Sequence, residues 1–339
     1  MYFAIAGKNI SLSKKELELV WKIVSQEWKI IFFETENFDK CKFLAGFVKI
    51  WEVISKKEFI SMDKKLLWTN IHLKPSEKLV YNFKRYKHID LLKSDIEVKK
   101  KWTEAIFFKS MPDKVWIVKF YQNISLYETI DFDKPIRSMW IWMMPAKLTH
   151  LMLNLLTWLN YNQTIYDPFA GLGTTLMIAS YFENNIIWSD INITPAKQNF
   201  KWWLDHIKKE KDLSKQNYFL FKHDITKPFS KKIVNFTDYV VTEGYLWPIV
   251  KKNLTLQEAQ KMQQHFENIY IQWIKNLLSL EKLKKIIITF PAYRLKDNSF
   301  FILENIYEQI NKFAKIQLFD EIYIRQGQKV WRQLAIIYQ

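Results

Sequence analysis

The densest chemistry in this chain is a nine-residue string, Asp167-Pro168-Phe169-Ala170-Gly171-Leu172-Gly173-Thr174-Thr175. It follows a strand-like run, Thr164-Ile165-Tyr166, and precedes a helical pattern, which is the context a nucleotide-type glycine loop requires. Gly171 and Gly173 let backbone approach a ligand closely, and Thr174 or Thr175 can cap the helix that follows. About 20 residues further on, Asp190 ends the run Ile187-Trp188-Ser189-Asp190. A carboxylate at that spacing accepts hydrogen bonds from both hydroxyls of a ribose. A third acidic residue, Asp224, follows the strand-like run Tyr218–Lys222.

These residues need a sheet to hold them. Strands are expected at Thr164–Asp167, Asn185–Ser189, Tyr218–Lys222, Asp238–Thr242 and Lys285–Phe290, with helices from Thr174, from Pro195 and from Leu256 to about Leu280. Two closing strands, Lys315–Ile324 and Trp331–Tyr338, flank Arg325-Gln326-Gly327-Gln328. Alternating strands and helices of this kind predict an α/β fold with a doubly wound parallel sheet. Asp131-Phe132-Asp133-Lys134-Pro135 reads as a linker, so the expected domains are 1–130 and 136–339. In the first, residues 2–7 read as a strand and Ser13 with Glu16 as a capping box on a helix carrying Leu17, Val20, Trp21 and Val24. Lys29–Phe33 then reads as a strand and Cys41–Ile54 as a helix, together a small α/β sandwich. From Ser76 to Lys101 the chain is basic and carries Tyr81, Phe83, Tyr86 and Leu91, either a nucleic-acid surface or a solvated helix face.

The string D-P-F-A-G-x-G-T-T resembles motif I of the class I methyltransferases that modify exocyclic amino groups. The resemblance implies S-adenosyl-L-methionine as cofactor, its methionine end over the loop. It assigns Asp167, Phe169, Ala170, Gly171, Gly173, Thr174, Asp190, Ile191, Asp224 and Ile225 to cofactor binding, with Asp224 on the adenine amino group. It also implies a Rossmann-like sheet closed by a C-terminal antiparallel hairpin. Such enzymes carry Asp/Asn-Pro-Pro-Tyr at the end of the fourth strand, where this chain has Thr242-Glu243-Gly244-Tyr245. Tyr245 matches the aromatic that would stack on a flipped-out base. Both prolines are missing and the leading acceptor is Thr242, so Thr242, Glu243 or a nearby carbonyl must accept the amine hydrogens. The catalytic assignment is therefore Thr242, Glu243 and Tyr245.

Further strings narrow the resemblance. Arg137–Leu148, with its Pro-x-Lys-Leu ending, and Tyr323–Arg332 resemble the RNA methylase family that includes the THUMP-associated tRNA guanosine N2-methyltransferases. Leu44–Glu52 resembles the ferredoxin-like region that precedes a THUMP domain, though less specifically. The implied protein is a tRNA guanine-N2 methyltransferase whose N-terminal α+β, ferredoxin-like and THUMP-like region binds tRNA or another structured RNA. Two rivals share the same motifs. One is a DNA adenine-N6 or cytosine-N4 methyltransferase; the other is an RNA-binding homologue whose catalytic site has decayed.

Composition agrees with a polyanionic partner. The net charge is +16, and the excess divides almost evenly between the first 135 residues and the rest. With 49% hydrophobic residues the chain can bury a core, and it has no apolar run long enough to span a bilayer. There is no secretory leader, and the lone cysteine, Cys41, makes neither a disulfide framework nor a thiolate metal site. A cytoplasmic enzyme with neither membrane nor metal partner is expected. The glycine count is only 6 against 15 tryptophans, where average usage predicts roughly 24 glycines. Trp51, Trp140, Trp142, Trp188, Trp247 and Trp331 stand where the resembled family has glycine, and Trp28 stands where a helix would end. The pattern points to UGA codons that the source organism reads as glycine; genuine indoles used for packing and stacking are the alternative.

Overall fold

The structure is a computed structural model that describes residues 1–55, 57–58, 71–75, 103–107, 113–137, 143–157, 160–229, 236–244, 253–324 and 330–339, with 71–75 and 103–107 as backbone. The Ser76–Lys101 basic stretch, Tyr245, Trp140, Trp142, Trp247 and the 325–329 connection lie outside the described residues. The chain divides into two compact units, Met1–Asn123 and Ile124–Gln339.

The first unit is built on one sheet of seven strands: β1 (Tyr2–Ala6), β2 (Lys22–Glu27), β3 (Ile30–Glu34), β4 (Phe47–Ser55), β5 (Ile71–Pro75), β6 (Thr103–Phe107) and β7 (Lys114–Tyr121), in the order β2-β3-β1-β4-β7-β6-β5. All neighbours are antiparallel except β5 and β6. The helix expected over Cys41–Ile54 is not there. Only Phe38–Phe43 makes a short 3₁₀ turn, and Phe47–Ser55 is β4, the strand between β1 and β7. Val48, Ile50, Val53 and Ile54 are β-branched, and such side chains lose rotamer freedom in a helix but pack well on a pleated surface. Phe3 stacks on Trp51 at 4.6 Å, and Ile5, Ile30, Trp116 and Val118 complete that core.

Helix α1 spans Ile10–Glu18, so Ser13 and Glu16 lie inside it and do not cap it. They grip the loop before β4 instead. Ser13 Oγ donates to the Gly46 carbonyl at 2.8 Å, and the Glu16 carboxylate accepts from the amides of Ala45 and Gly46 at 2.8 and 2.7 Å. The helix also stops earlier than its apolar spacing implies, because Ile23 and Val24 belong to β2.

The second unit starts with a helical turn, α2 (Ile124–Glu128), that runs into a π-helical turn over Thr129–Asp133. This segment overlaps the expected linker and is tied down within the unit. Asp131 Oδ1 accepts from Ala146 N at 3.0 Å at the start of α3 (Ala146–Thr157), and Tyr127 Oη bonds His150 Nδ1 at 2.8 Å. The chain then alternates: β8 (Thr164–Asp167), α4 (Thr174–Tyr181), β9 (Asn185–Asp190), α5 (Thr194–Ile207), β10 (Tyr218–Lys222), β11 (Tyr239–Glu243), α6 (Leu256–Leu278), β12 (Lys285–Arg294), β13 (Phe300–Phe301), α7 (Glu304–Asn311), β14 (Lys315–Tyr323) and β15 (Val330–Tyr338). The sheet order is β10-β9-β8-β11-β12-β15-β14, with β13 on the end of β12. The first five are parallel, and β15 runs antiparallel to both β12 and β14.

Burial follows from the sequence. The four middle positions of β9 and of β12 and nearly all of β15 are buried, as expected of strands covered on both faces. Helix α6 is amphipathic and lays Ala259, Phe266, Tyr270, Trp273 and Leu277 on the sheet. Thr255 and Glu258 form a true capping box at its start. No helix among the described residues is long and apolar enough to cross a membrane.

Candidate functional site

In an open α/β sheet, ligands bind beyond the carboxyl ends of the strands where strand order reverses. Here the reversal lies between β8 and β11: the chain steps outward from β8 through β9 to β10 and then returns to lay β11 on the other side of β8. The glycine loop leaves β8 at this point. An open cavity of about 290 Å³ lies there, lined by Met143, Met144, the loop and Glu243.

The loop is shaped by its two glycines. Gly171 has φ +50° and Gly173 φ +83°, a left-handed region costly for residues with a Cβ. Gly173 N donates to the Ala170 carbonyl at 2.7 Å, and Ala170 N reaches the Ser189 carbonyl of β9 at 3.0 Å. Asp190 closes the loop from outside. Its Oδ2 accepts from Gly171 N and its Oδ1 from Asn192 N, both at 2.9 Å. A carboxylate oxygen has more than one lone pair, so Asp190 retains acceptor capacity for a ligand hydroxyl. Ile191 beside it is 69% exposed.

Asp167 forms the floor and is buried. It accepts from Phe169 N at 3.0 Å and from Thr242 Oγ1 at 2.7 Å. Burial pushes its pKa up to about 6, against the pull of the Thr242, Thr175 and Phe169 hydrogen bonds. Thr242 is itself fully buried on β11. Its hydroxyl faces Asp167, so it braces the floor and does not stand where an incoming amine could reach it. Glu243, the next residue, lines the cavity but is bound to the Nε of Arg332 from β15. Burial raises its pKa and the guanidinium opposes that rise. The acid is therefore a held acceptor and not a freely titrating base. Tyr245 belongs to the residues outside the description.

Gly244 accounts for the missing proline. A Cβ built there would stand 2.6 Å from the Thr289 carbonyl oxygen and 2.8 Å from Tyr270 Oη, and its amide donates to that same carbonyl at 2.9 Å. Proline supplies neither the space nor the N–H. The chain end of β11 is thus pinned to β12 by a hydrogen bond that the Pro-Pro form of the motif cannot make at this position.

On the other side, Asp224 is exposed after β10 and turns back on itself, accepting from Thr226 Oγ1 at 2.7 Å and Thr226 N at 3.0 Å, which lower its pKa. Ile225 is buried, and its carbonyl accepts from Asn276 of α6 at 2.8 Å. The structure therefore brings Asp167, Gly171, Gly173, Thr174 and Glu243 around one cavity, with Asp190 bound to the loop and Asp224 two residues past the adjoining strand.

Two residues of this neighbourhood were not singled out from the sequence. Asn199 of α5, fully buried, donates to the Leu172 carbonyl at 3.0 Å and clasps the backbone of Ile136 with both ends of its amide. Its signal is legible in hindsight: it occupies the buried stripe Ala196, Phe200, Trp203 and Ile207, an amide on an apolar face. Lys134 is the other. It sits in the segment read as a linker, yet its ammonium is buried and donates to Thr174 Oγ1 at 3.1 Å.

The tryptophans divide. Trp51, Trp188 and Trp331 lie within strands and are buried, not in tight turns, with Trp188 edge-on to Phe200 at 4.7 Å. The indole N–H groups of Trp51 and Trp188 find no acceptor. Trp28 is different: it joins β2 to β3 at φ +50° and is 48% exposed.

No protein family and no curated protein matches this sequence. Solved structures with similar folds include the methyltransferase domain of a bacterial Hen1 (11% identity, TM-score 0.40, covering 57% of this chain and 97% of that one). Others are a TehB-like SAM-dependent methyltransferase from Corynebacterium glutamicum (15%, TM-score 0.33, 53% and 82%) and the small RNA methyltransferase HEN1 (13%, TM-score 0.40, 67% and 28%). The strand order decides the matter more directly. The second unit has the class I methyltransferase fold. Its mark is the antiparallel β15 inserted between β12 and β14 on an otherwise parallel Rossmann-like sheet.

Proposed function

We propose that this chain is an S-adenosyl-L-methionine-dependent methyltransferase that modifies an exocyclic amino group in RNA, the N2 of a guanosine in tRNA. The observation that carries the reading is the single cavity shared by the glycine loop of β8 and the Glu243–Gly244 end of β11, with the Asp190 carboxylate bound to the loop. The residues fit the cofactor. Gly171 and Gly173 keep the loop free of side chains, Asp190 offers acceptors to a ribose, and Asp224 and Ile225 stand two and three residues beyond β10, where an adenine edge is read. When bound, the cofactor supplies an electrophilic methyl group on a sulfonium.

The chain's own part is positioning. Asp167 and Thr242 hold the loop to β11, and Gly244 holds the end of β11 to β12. Glu243, fixed by Arg332, presents a carboxylate that accepts the amine hydrogens and turns the nitrogen lone pair toward the cavity. Tyr245 follows as the base-stacking aromatic. Met1–Asn123 is the RNA-binding region, consistent with positive charge spread over both halves of the chain.

The test is transfer of labelled methyl to total tRNA, ribosomal RNA and DNA, followed by nucleoside analysis. N2-methylguanosine in tRNA is the expected product. Label confined to DNA would replace the RNA reading with an adenine-N6 or cytosine-N4 activity. Cofactor binding with no label in any nucleic acid would identify a decayed, RNA-binding homologue.

A further inference from the structure

Lys134 is the most deeply buried cation near the cavity, 1% exposed, in a segment whose sequence gave no reason to expect burial. An ammonium has three donors. Among the described residues its hydrogen-bond partner is Thr174 Oγ1. Burial lowers its pKa to about 8, and Asp131 is the acid that opposes the loss of charge. That acid is itself engaged at the start of α3 through the Ala146 amide. Thr174 is the first residue of α4, and it lines the cavity beside Gly171 and Leu172.

Two sources of positive potential therefore meet at one wall: the amino end of α4 and the Lys134 ammonium. The acids nearby do not cancel them from within the cavity. Glu243 is neutralised by Arg332, and Asp167 accepts hydrogen bonds from Thr242 and the loop. The Thr174 hydroxyl accepts from Lys134, so its own proton is left to donate away from the lysine. A hydroxyl polarised by a buried cation at a helix start is built to meet a carboxylate.

We infer that Lys134 and Thr174 form the subsite for the α-carboxylate at the amino-acid end of the cofactor, with Lys134 a positioning residue that acts through the Thr174 hydroxyl. This rests on the cofactor reading given above. It goes beyond it in naming which charge holds the amino-acid end and in assigning a role to the segment before α3.

Isothermal titration calorimetry with two ligands separates the possibilities. S-adenosylhomocysteine carries the amino-acid end, and 5′-methylthioadenosine lacks it. Wild-type protein binds the first more tightly than the second. Lys134→Met and Thr174→Val weaken S-adenosylhomocysteine at least tenfold and change 5′-methylthioadenosine less than about twofold, the loss expected when one charge-assisted hydrogen bond is removed. Lys134→Arg and Thr174→Ser restore most of the affinity. Equal loss of both ligands in variants that melt like wild type would make Lys134 merely structural and overturn the inference. So would unchanged binding of S-adenosylhomocysteine by Thr174→Val, which decides the matter even if Lys134→Met fails to fold. Wild-type protein that binds neither ligand defeats the cofactor reading itself, an outcome distinct from the other two.

Discussion

Thr242 Oγ1 stands 2.7 Å from Asp167 Oδ1, and both residues are buried. This one bond joins the end of β11 to the first residue of the glycine loop, so the strand that would present the substrate and the loop that would hold the cofactor are set against each other. A hydrogen bond to a buried carboxylate contributes about 2 kcal/mol. Thr242→Val keeps the shape and removes the donor. The expected result is a loss of about 2 kcal/mol in chemical denaturation of the second unit, with weaker cofactor binding. A Thr242→Val protein with wild-type stability would remove the brace.

Asp167 has its own pH signature. Its folded pKa of about 6 lies above the ordinary carboxylate value, so the folded chain binds its proton more tightly than the unfolded chain. The stability this group contributes is complete below about pH 4 and is lost as pH rises toward 6. Above that it is flat. Asp167→Asn removes the titration, so the stability difference between variant and wild type should shift in the variant's favour by up to about 3 kcal/mol from pH 4 to 7. Parallel urea melts of the two proteins across that range measure it; a difference that does not vary with pH contradicts the buried carboxyl.

Glu243 and Arg332 are predicted to be non-additive. Removing the guanidinium alone leaves a buried carboxylate without its counter-charge, a loss of about 3–5 kcal/mol. Arg332→Met should be strongly destabilising, and adding Glu243→Gln should recover a large part of the loss. A double-mutant cycle reads the coupling; strictly additive losses would show that the two groups do not act on each other.

Gly244 tests the unusual fourth-strand motif. Its Cβ position is occupied by the Thr289 carbonyl and Tyr270 Oη, so Gly244→Ala must push β12 or α6 away. Overpacking of this kind costs about 1–3 kcal/mol. The melting temperature and cofactor affinity should both fall, and a Gly244→Ala protein matching wild type in both would mean the end of β11 is not held as described.

Trp28 makes a prediction of the opposite sign. An L-residue at φ +50° costs roughly 1–2 kcal/mol that glycine avoids, while this indole is half exposed and loses only a contact with Lys29. Trp28→Gly should raise the stability of the first unit by about 1 kcal/mol. The codons supply an independent check: UGA at position 28 supports the recoded-glycine reading, and UGG ends it there. Trp51, Trp188 and Trp331 do not give so clean a test, because strand positions accept large side chains.

By itself the sequence determined the second unit's architecture and the cofactor loop. Both are local signals. A β-α-β alternation appears as a change of hydrophobic period, and a left-handed turn beside a ligand requires glycine, so Gly171 and Gly173 could be read before any contact was known. The first unit was less legible. Apolar runs such as Phe47–Ser55 fit a helix or a buried strand equally well, and only pairing with β1 and β7 decides for the strand. Tertiary structure alone decided the partners of the polar residues. Ser13 and Glu16 have the spacing of a cap yet hold a loop about thirty residues away. Thr242 looks like a substrate acceptor yet faces Asp167, 75 positions earlier in the chain. Lys134 looks like linker charge yet lies buried against Thr174. A side chain's type limits what it can bond, but burial and the groups brought beside it by distant parts of the chain decide which bond it makes.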